Sequence, residues 1–509
     1  MISSYGFQHR TRHVSRRFTW SSSIACAISS TGSCWVSRTS HTADLPAAFI
    51  EQLRIVSGQH HSRKILTDPA DCWAYGYDNS RRRSLPAAVA LPESTAEVAA
   101  IMGVCAEHRI SVCPRGRGTG TTGGAIPPQG GLALSLERMN RILSVDPANR
   151  VAVVEAGVIN QDLQNHLQPH GFFWPPDPTS AAFSTIGGNL ACNAAGPRTL
   201  KYGTPRDNTL GLTAVTPQGN IIRTGSYTTK SVVGLDLTRL LIGSEGTLAI
   251  ITEATLLLTP AAAAETTLRA SYTSMKEAAA AVSRIMAQAC QPRAMEFMDS
   301  GAIRAIGRLD RNPLPAQTRA LLLIDVDGTV NGLQESVDAI EAAARCDGLL
   351  EWLQAGSAKE AAVLWQTRKN LSPLLRKLAP GKINEDIVVP VSRMAELIDA
   401  LDRLARAHQL LIVSYGHAGN GNIHVNLLYD PADERQTAAA NECLAEVFEL
   451  TLSLGGSLSG EHGIGFVKRN FVGLEVDAET MAVMRGIKNQ LDPLNILNPG
   501  KMYPDQPGH

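Results

Sequence analysis

Two glycine-dense stretches in the C-terminal third hold the residue types best suited to chemistry. Residues 414–428 read Ser-Tyr-Gly-His-Ala-Gly-Asn-Gly-Asn-Ile-His-Val-Asn-Leu-Leu, which sets His417 and His424 seven apart around two glycines. Further on, Gly455-Gly-Ser-Leu-Ser-Gly-Glu-His-Gly-Ile-Gly465 offers Glu461 and His462 side by side. Two imidazoles and one carboxylate can bind a divalent cation and still leave coordination positions open for a substrate, as in catalytic zinc sites. A lone histidine of this kind is more often a satisfied core residue. Three imidazoles and an acid in two glycine-rich loops point instead to a site.

A second chemistry lies earlier. Residues 114–124 read Pro-Arg-Gly-Arg-Gly-Thr-Gly-Thr-Thr-Gly-Gly, and Gly118, Gly120 and Gly123 satisfy G-x-G-x-x-G. The dinucleotide fold needs a helix to open at the last glycine and face the pyrophosphate. Here Ala-Ile-Pro-Pro-Gln-Gly-Gly follows, and two prolines and two glycines cannot start that helix. What survives is a backbone of exposed N–H groups able to wrap an anion, with Arg115 and Arg117 adding positive charge. Trp174-Pro-Pro-Asp-Pro-Thr-Ser180, Thr185–Gly196 and Leu241-Ile-Gly-Ser-Glu-Gly-Thr-Leu248 are further places where backbone can approach a flat ligand. Several glycine-rich joints in one region point to one extended ligand.

The elements that must position these loops are short. Pro86–Pro92, Ile110–Cys113, Val151–Glu155, Gly211–Val215 and Leu248–Thr252 read as strands, and Ser94-Thr-Ala-Glu97 is a capping box opening a helix to about His108. Beyond Pro260 alanine-rich helices alternate with β runs such as Leu321–Asp327. The expected organisation is a tail over 1–45, one domain over 46–262 and an α+β domain over 263–503. The tail has five arginines, three histidines and no acid before Asp44, which is either disorder or a transit-peptide composition. The compartment expected is cytoplasmic, or mitochondrial if the tail is a transit peptide. Lysine plus arginine equals aspartate plus glutamate at 47 each, so nothing favours a nucleic-acid or membrane-surface partner. No apolar run is long enough to span a bilayer. The nine cysteines are scattered with no C-x-x-C spacing, against an iron–sulfur cluster or zinc ribbon in this chain.

The segments Pro114–Ala125, Pro175–Gly196, Lys201–Asp207 and Gly243–Thr247 resemble the FAD-binding domain of the FAD-linked oxidases with the PCMH-type, vanillyl-alcohol-oxidase-like fold. The resemblance spans about residues 80–503 and implies a two-subdomain FAD-binding domain followed by an α+β cap. It implies that Arg115, Gly116, Arg117, Gly118 and Thr119, with Gly123, hold the pyrophosphate. Pro176, Asp177, Thr179, Gly187, Gly188, Asn189 and Gly196 would flank the isoalloxazine and ribityl chain. Gly246, Thr247 and Ile250 would complete the adenine and ribose side, and Asn498 in the closing segment Leu494–Lys501 would return to the flavin edge. No histidine lies between His108 and His166, so the FAD is expected to be non-covalent.

The C-terminal motifs resemble the D-lactate, D-2-hydroxyglutarate and glycolate dehydrogenase branch. There His417, His424 and Glu461 would bind the metal, expected to be Zn²⁺ with Mn²⁺ and Fe²⁺ open, and His462 would be the general base. Arg368, in Trp365-Gln-Thr-Arg-Lys-Asn-Leu-Ser372, matches the substrate-carboxylate residue, with Ser372 a nearby hydroxyl and Lys382 a second cation. On one helix, Arg368 and Ser372 would share a face. Two positions depart from the pattern, Ala249 where the family more often has glycine and Asn420 where it usually has aspartate. The reaction implied is metal-assisted oxidation of a small D-2-hydroxy acid, D-lactate-like, to the 2-oxo acid, with hydride passing to flavin. The electron acceptor is left open among quinone, cytochrome c, an electron-transfer flavoprotein and oxygen, as is a homodimer. Two rival readings keep the flavin: a transferase like the ether-lipid synthases, and a non-catalytic flavin subunit of an electron-transfer complex.

Overall fold

The computed structural model describes residues 45–58, 64–307 and 314–505; the tail expected over 1–45 lies outside them except for its last residue. Mixed helix and strand content matches the α+β expectation. The first half carries three small sheets. Strands β1 (Ile65–Leu66), β2 (Ala88–Ala90), β3 (Val112–Arg115) and β4 (Leu132–Ser135) pair in the order β1-β2-β4-β3, with β4 parallel to both β2 and β3. Next come β5 (Ile142–Asp146), β6 (Val151–Glu155), β7 (Phe172–Phe173), β8 (Thr209–Val215), β9 (Ile221–Gly225), β10 (Ile250–Leu257) and β11 (Thr259–Pro260). Five of them form an antiparallel sheet, β5-β6-β10-β8-β9, while β7 and β11 pair with each other. The helix Thr95–His108 begins as expected. Ser94 accepts from the Glu97 N–H at 3.2 Å, a cap worth about 1 kcal/mol. Its buried Val98, Ile101, Met102 and Cys105 recur at helical spacing against the first sheet.

The second half is one seven-stranded antiparallel sheet. Its strands are β12 (Ala264–Tyr272), β13 (Ala294–Met298), β14 (Ala320–Gly328), β15 (Leu349–Gln354), β16 (Gly381–Val388), β17 (Leu411–His417) and β18 (Asn422–Tyr429), in the order β15-β12-β14-β13-β17-β18-β16. Side chains alternate along a strand, so each strand gives one set to each face. One face is apolar: Ala270, Ile324, Leu322, Phe297, Ile423, Val425, Leu427 and Ile387 pack under the helices Met275–Met286, Leu333–Ala344, Met394–Ala407 and Glu434–Ser453. The other face is polar in its middle strands. Register sets Glu296 beside His417, Tyr415 beside His424, and His424 beside Asp386.

The chain then returns to the first half. Val112 donates to the Ile496 carbonyl at 2.7 Å, and Asn498 donates back to the Val112 carbonyl at 2.8 Å, so residues 496–498 lie along the free edge of β3.

Three local expectations change. The strand read at Ile110–Cys113 lies two residues later. The glycine-rich Thr185–Gly196 stretch opens with a helix, Ile186–Cys192, because the Thr185 side chain caps the Gly188 N–H at 3.2 Å. Arg368 and Ser372 do not share one helix: Ala358–Lys369 ends at Asn370 and a separate helix, Leu371–Leu378, starts there.

Candidate active site

The polar face of the large sheet and the loops of the first half enclose a cavity of about 1390 Å³. Clefts for drug-sized ligands reach about 1,000 Å³, so the space suits an elongated ligand plus a substrate. Gly116, Arg117, Gly118, Thr119, Asp177, Thr179, Gly187, Gly188, Asn189, Gly246 and Ile250 all line it, as do Arg115 and the buried Ala249. A Cβ built on Gly120 or Gly124, also in the wall, meets nothing within 4 Å. Glycine there is not demanded by packing; it leaves room in the cavity. The buried Thr121 hydroxyl, in the same wall, has no partner among the described residues. Room and unpaired polar atoms fit an elongated, polar ligand such as FAD.

Arg115 is placed otherwise than its charge suggested. Its Nη1 donates to the carbonyls of Tyr75, Tyr77 and Ala125 at 2.8, 3.1 and 3.3 Å, so the guanidinium braces the glycine loop from beneath. Gly123, Pro176, Gly196, Thr247, Asn498 and Lys382 are not in the cavity wall. Gly123 packs its backbone against Phe466, Thr247 donates to the Ser244 carbonyl, and Asn498 Nδ2 donates to the Glu245 carbonyl at 2.7 Å.

His417, His424 and Glu461 come together at its floor. Their ligand atoms all lie within 4.8 Å of one another, with the two Nε2 atoms 3.4 and 3.6 Å from Glu461 Oε1. His417 ends β17, His424 sits in β18 across from Tyr415, and Glu461 arrives on the loop after the helix Glu434–Ser453. Burial opposes a charge on His417, but the carboxylates of Glu296 and Glu461 overrule it and push the imidazole up to about 10. Burial, with only Glu461 opposing, pushes His424 down to about 3. Against burial, His417 holds Glu461 down to about 2. The three groups therefore stabilise one positive charge between them, and a divalent cation fits that donor set.

Two buried carboxylates support the cluster. Glu296, 1% exposed, accepts from His417 Nδ1 with one oxygen and from Arg368 Nε at 2.7 Å with the other. The first contact fixes the imidazole so that Nε2 faces Glu461. Asp386, fully buried on β16, accepts the backbone N–H groups of Gly460, Glu461 and His462 at 2.9, 2.6 and 2.9 Å. It also accepts Lys468 Nζ at 2.8 Å and lies 3.3 Å from His462 Nδ1. Burial would raise its carboxyl, but His462 and Lys468 hold it far below the usual range. The ring of His462 stacks on that of His424, with centroids 5.4 Å apart and planes at 19°.

Arg368 and Ser372 both line the cavity despite the helix break between them. The Arg368 guanidinium lies 4.4 Å over the Tyr415 ring, and Lys382 donates to Ser372 Oγ at 3.0 Å. Glu296, Asp386, Lys468 and Tyr415 were not singled out from the sequence. The readable signal was a carboxylate isolated in a β run, in Ala-Met-Glu-Phe-Met and in Asn-Glu-Asp-Ile-Val-Val. Such a residue must find a partner when buried.

With this geometry in place, the chain can be set beside known proteins. The family described as "FAD binding domain" matches residues 86–225, and "FAD linked oxidases, C-terminal domain" matches residues 261–502. The glycolate oxidase subunit GlcD of Bacillus subtilis is 39% identical over 430 residues, covering 84% of this chain and 92% of that protein. The mitochondrial D-lactate dehydrogenase [cytochrome] of Arabidopsis thaliana is 32% identical over 466 residues, covering 90% and 81%. Among solved structures, p-cresol methylhydroxylase with substrate bound superposes with a TM-score of 0.75 at 18% identity, covering 90% of this chain and 96% of that one.

Proposed function

This chain belongs to the FAD-linked oxidase family, and we propose that it oxidises a small D-2-hydroxy acid to the 2-oxo acid at a divalent cation held by His417, His424 and Glu461. The observation that carries this reading is the convergence of those three ligand atoms, His462 and Arg368 on one wall of the cavity that the FAD-binding half completes. D-Lactate and glycolate are the substrates named for similar proteins. When bound, FAD would supply a two-electron acceptor and the cation a Lewis acid for the substrate oxygens.

The protein's own part follows from its geometry. Arg368, pre-aligned by Glu296 through Nε, keeps both Nη groups without a partner among the described residues, ready for a carboxylate. Lys382 holds the Ser372 hydroxyl beside it. His462 takes the substrate hydroxyl proton at Nε2, while its Nδ1 faces Asp386, the base-and-orienter arrangement of general base catalysis. His417 and His424 are each 7% exposed, so their imidazoles are held largely out of water. The electrons leave to an acceptor on another molecule; GlcD relatives are named as subunits, which supports a protein partner. No helix among the described residues is long and apolar enough to cross a membrane.

The experiment is anaerobic flavin bleaching with D-lactate, glycolate, D-2-hydroxyglutarate and the L-forms, before and after chelator treatment. Rapid bleaching by a D-acid that chelation abolishes and Zn²⁺ or Mn²⁺ restores supports the reading. A yellow protein that no hydroxy acid reduces ends it.

A further inference from the structure

The loop that presents Glu461 and His462 is not held by the cap half alone. Its first residues hang on Asp386, as described. Its later residues hang on the flavin half. Glu245 accepts the Ile464 N–H with Oε1 and the Gly465 N–H with Oε2, both at 2.7 Å. Glu461 Oε2 accepts the Gly196 N–H at 3.0 Å. Thr122, in the glycine-rich loop, donates its hydroxyl to the His462 carbonyl at 3.2 Å, and its carbonyl accepts Phe466 N and Val467 N at 2.8 and 3.0 Å.

Glu245 is placed for this at a cost. Its φ is +52°, left-handed backbone that a glutamate rarely adopts and that costs about 1–2 kcal/mol. Its backbone is fixed in the flavin half, where its N–H bonds the Ala191 carbonyl and its carbonyl accepts Asn498 Nδ2. The residue is 7% exposed, and both of its carboxylate oxygens bond the other half's loop. The loop has cleared space to receive it: a Cβ on Gly463 would lie 2.8 Å from Glu245 Oε1, and one on Gly465 would lie 2.3 Å from the Thr122 carbonyl.

We infer that Glu245 is a positioning residue that makes the loop bearing Glu461 and His462 part of the flavin cradle, so that filling the cradle sets the cation ligand and the base. Gly246 and Thr122's neighbours Thr121 and Gly124 line the same cavity, so a ligand that orders those segments orders the loop's anchors. The catalytic meaning of the role rests on the proposed reading of Glu461 and His462; the mechanical role does not.

The test is hydrogen–deuterium exchange of residues 458–468 in the full chain, in two comparisons. The first sets FAD-loaded wild type against FAD-loaded Glu245→Gln and Glu245→Ala. The second sets wild type without FAD against wild type with it. The expected result is exchange at Ile464–Phe466 faster by about tenfold or more in both variants and in the FAD-free protein, with β13 and β14 unchanged. The variants also keep a flavin spectrum and lose kcat more than they change KM. Loop exchange that is the same within twofold in the variants, or indifferent to FAD in wild type, overturns the inference. If neither variant folds, the wild-type comparison decides it. A loop that loosens as expected in a protein no hydroxy acid reduces leaves the positioning role standing and removes the proposed reaction. Wild type and variants bleached at equal rates, with unchanged loops, do the reverse.

Discussion

Glu296 ties together the two groups to which the proposed reaction assigns the substrate and the cation, Arg368 and His417. One oxygen holds His417 and the other holds Arg368, so the clamp and the ligand cannot be tuned separately. Glu296→Gln keeps the shape and removes the charge. Loss of such an outer carboxylate loosens a bound metal by about 10–100-fold, and calorimetric titration of the metal-free variant with Zn²⁺ should show it. KM should rise in the same variant, because Arg368 loses the anion that aligns it. Lys382 gives a pH dependence at the same scale. Burial, with help from Arg81, pushes its amine down to about 8. A lysine is charged below its pKa and neutral above, so if it supports an anionic substrate as proposed, that support fades as pH rises through about 8. KM measured from pH 7 to 9 should climb in wild type, and Lys382→Arg should flatten that climb.

At the scale of elements, β16 and the loop after the helix Glu434–Ser453 form one unit through Asp386. The carboxylate ties three successive backbone N–H groups and pairs with Lys468, itself 2% exposed and also 3.0 Å from Glu385. Breaking a buried pair by removing one partner costs about 3–5 kcal/mol, and Asp386→Ala should lower the urea midpoint accordingly. A variant as stable as wild type would mean the loop is held from elsewhere. The same element shows what the sequence could and could not reveal. The clustering of His417, His424, Glu461 and His462 was readable because imidazoles and a carboxylate in glycine-rich stretches form a local pattern. Capping chemistry marked the helix after Ser94. Asp386 and Glu296 were unreadable as partners because their roles depend on strand order. No local signal says that β13 lies beside β17, or β16 beside β18. The break at Asn370 was likewise hidden, since Pro373 falls in the first turn of the next helix, where proline is tolerated.

At the scale of the whole molecule, the cavity belongs to neither half alone, and the last described residues brace segments of its wall from behind. Leu497 bridges β3, Asn498 supports Glu245, and Lys501 donates to the Gly124 carbonyl at 2.7 Å and to Asn498 Oδ1 at 2.7 Å. Ending the chain after Leu491 removes all of these while leaving every strand of the seven-stranded sheet. That truncated protein should retain its strand signal in circular dichroism and emerge from desalting without flavin absorbance. Retained flavin would show that the edge of β3 needs no cover. Resemblance in the closing segment placed Asn498 at the flavin edge; its pairing beside β3, its bond to the Glu245 carbonyl and the brace by Lys501 follow only from three-dimensional placement.

That return also sets a timetable. A growing polypeptide presents Gly116–Gly124 early and Asn498 hundreds of residues later, so the nucleotide's seat cannot close while the middle is still being made. If the edge of β3 must be covered before flavin binds, loading is a late event in the life of a newly synthesised chain, and a product cut short by a premature stop should leave the ribosome without flavin, however well its first half folds.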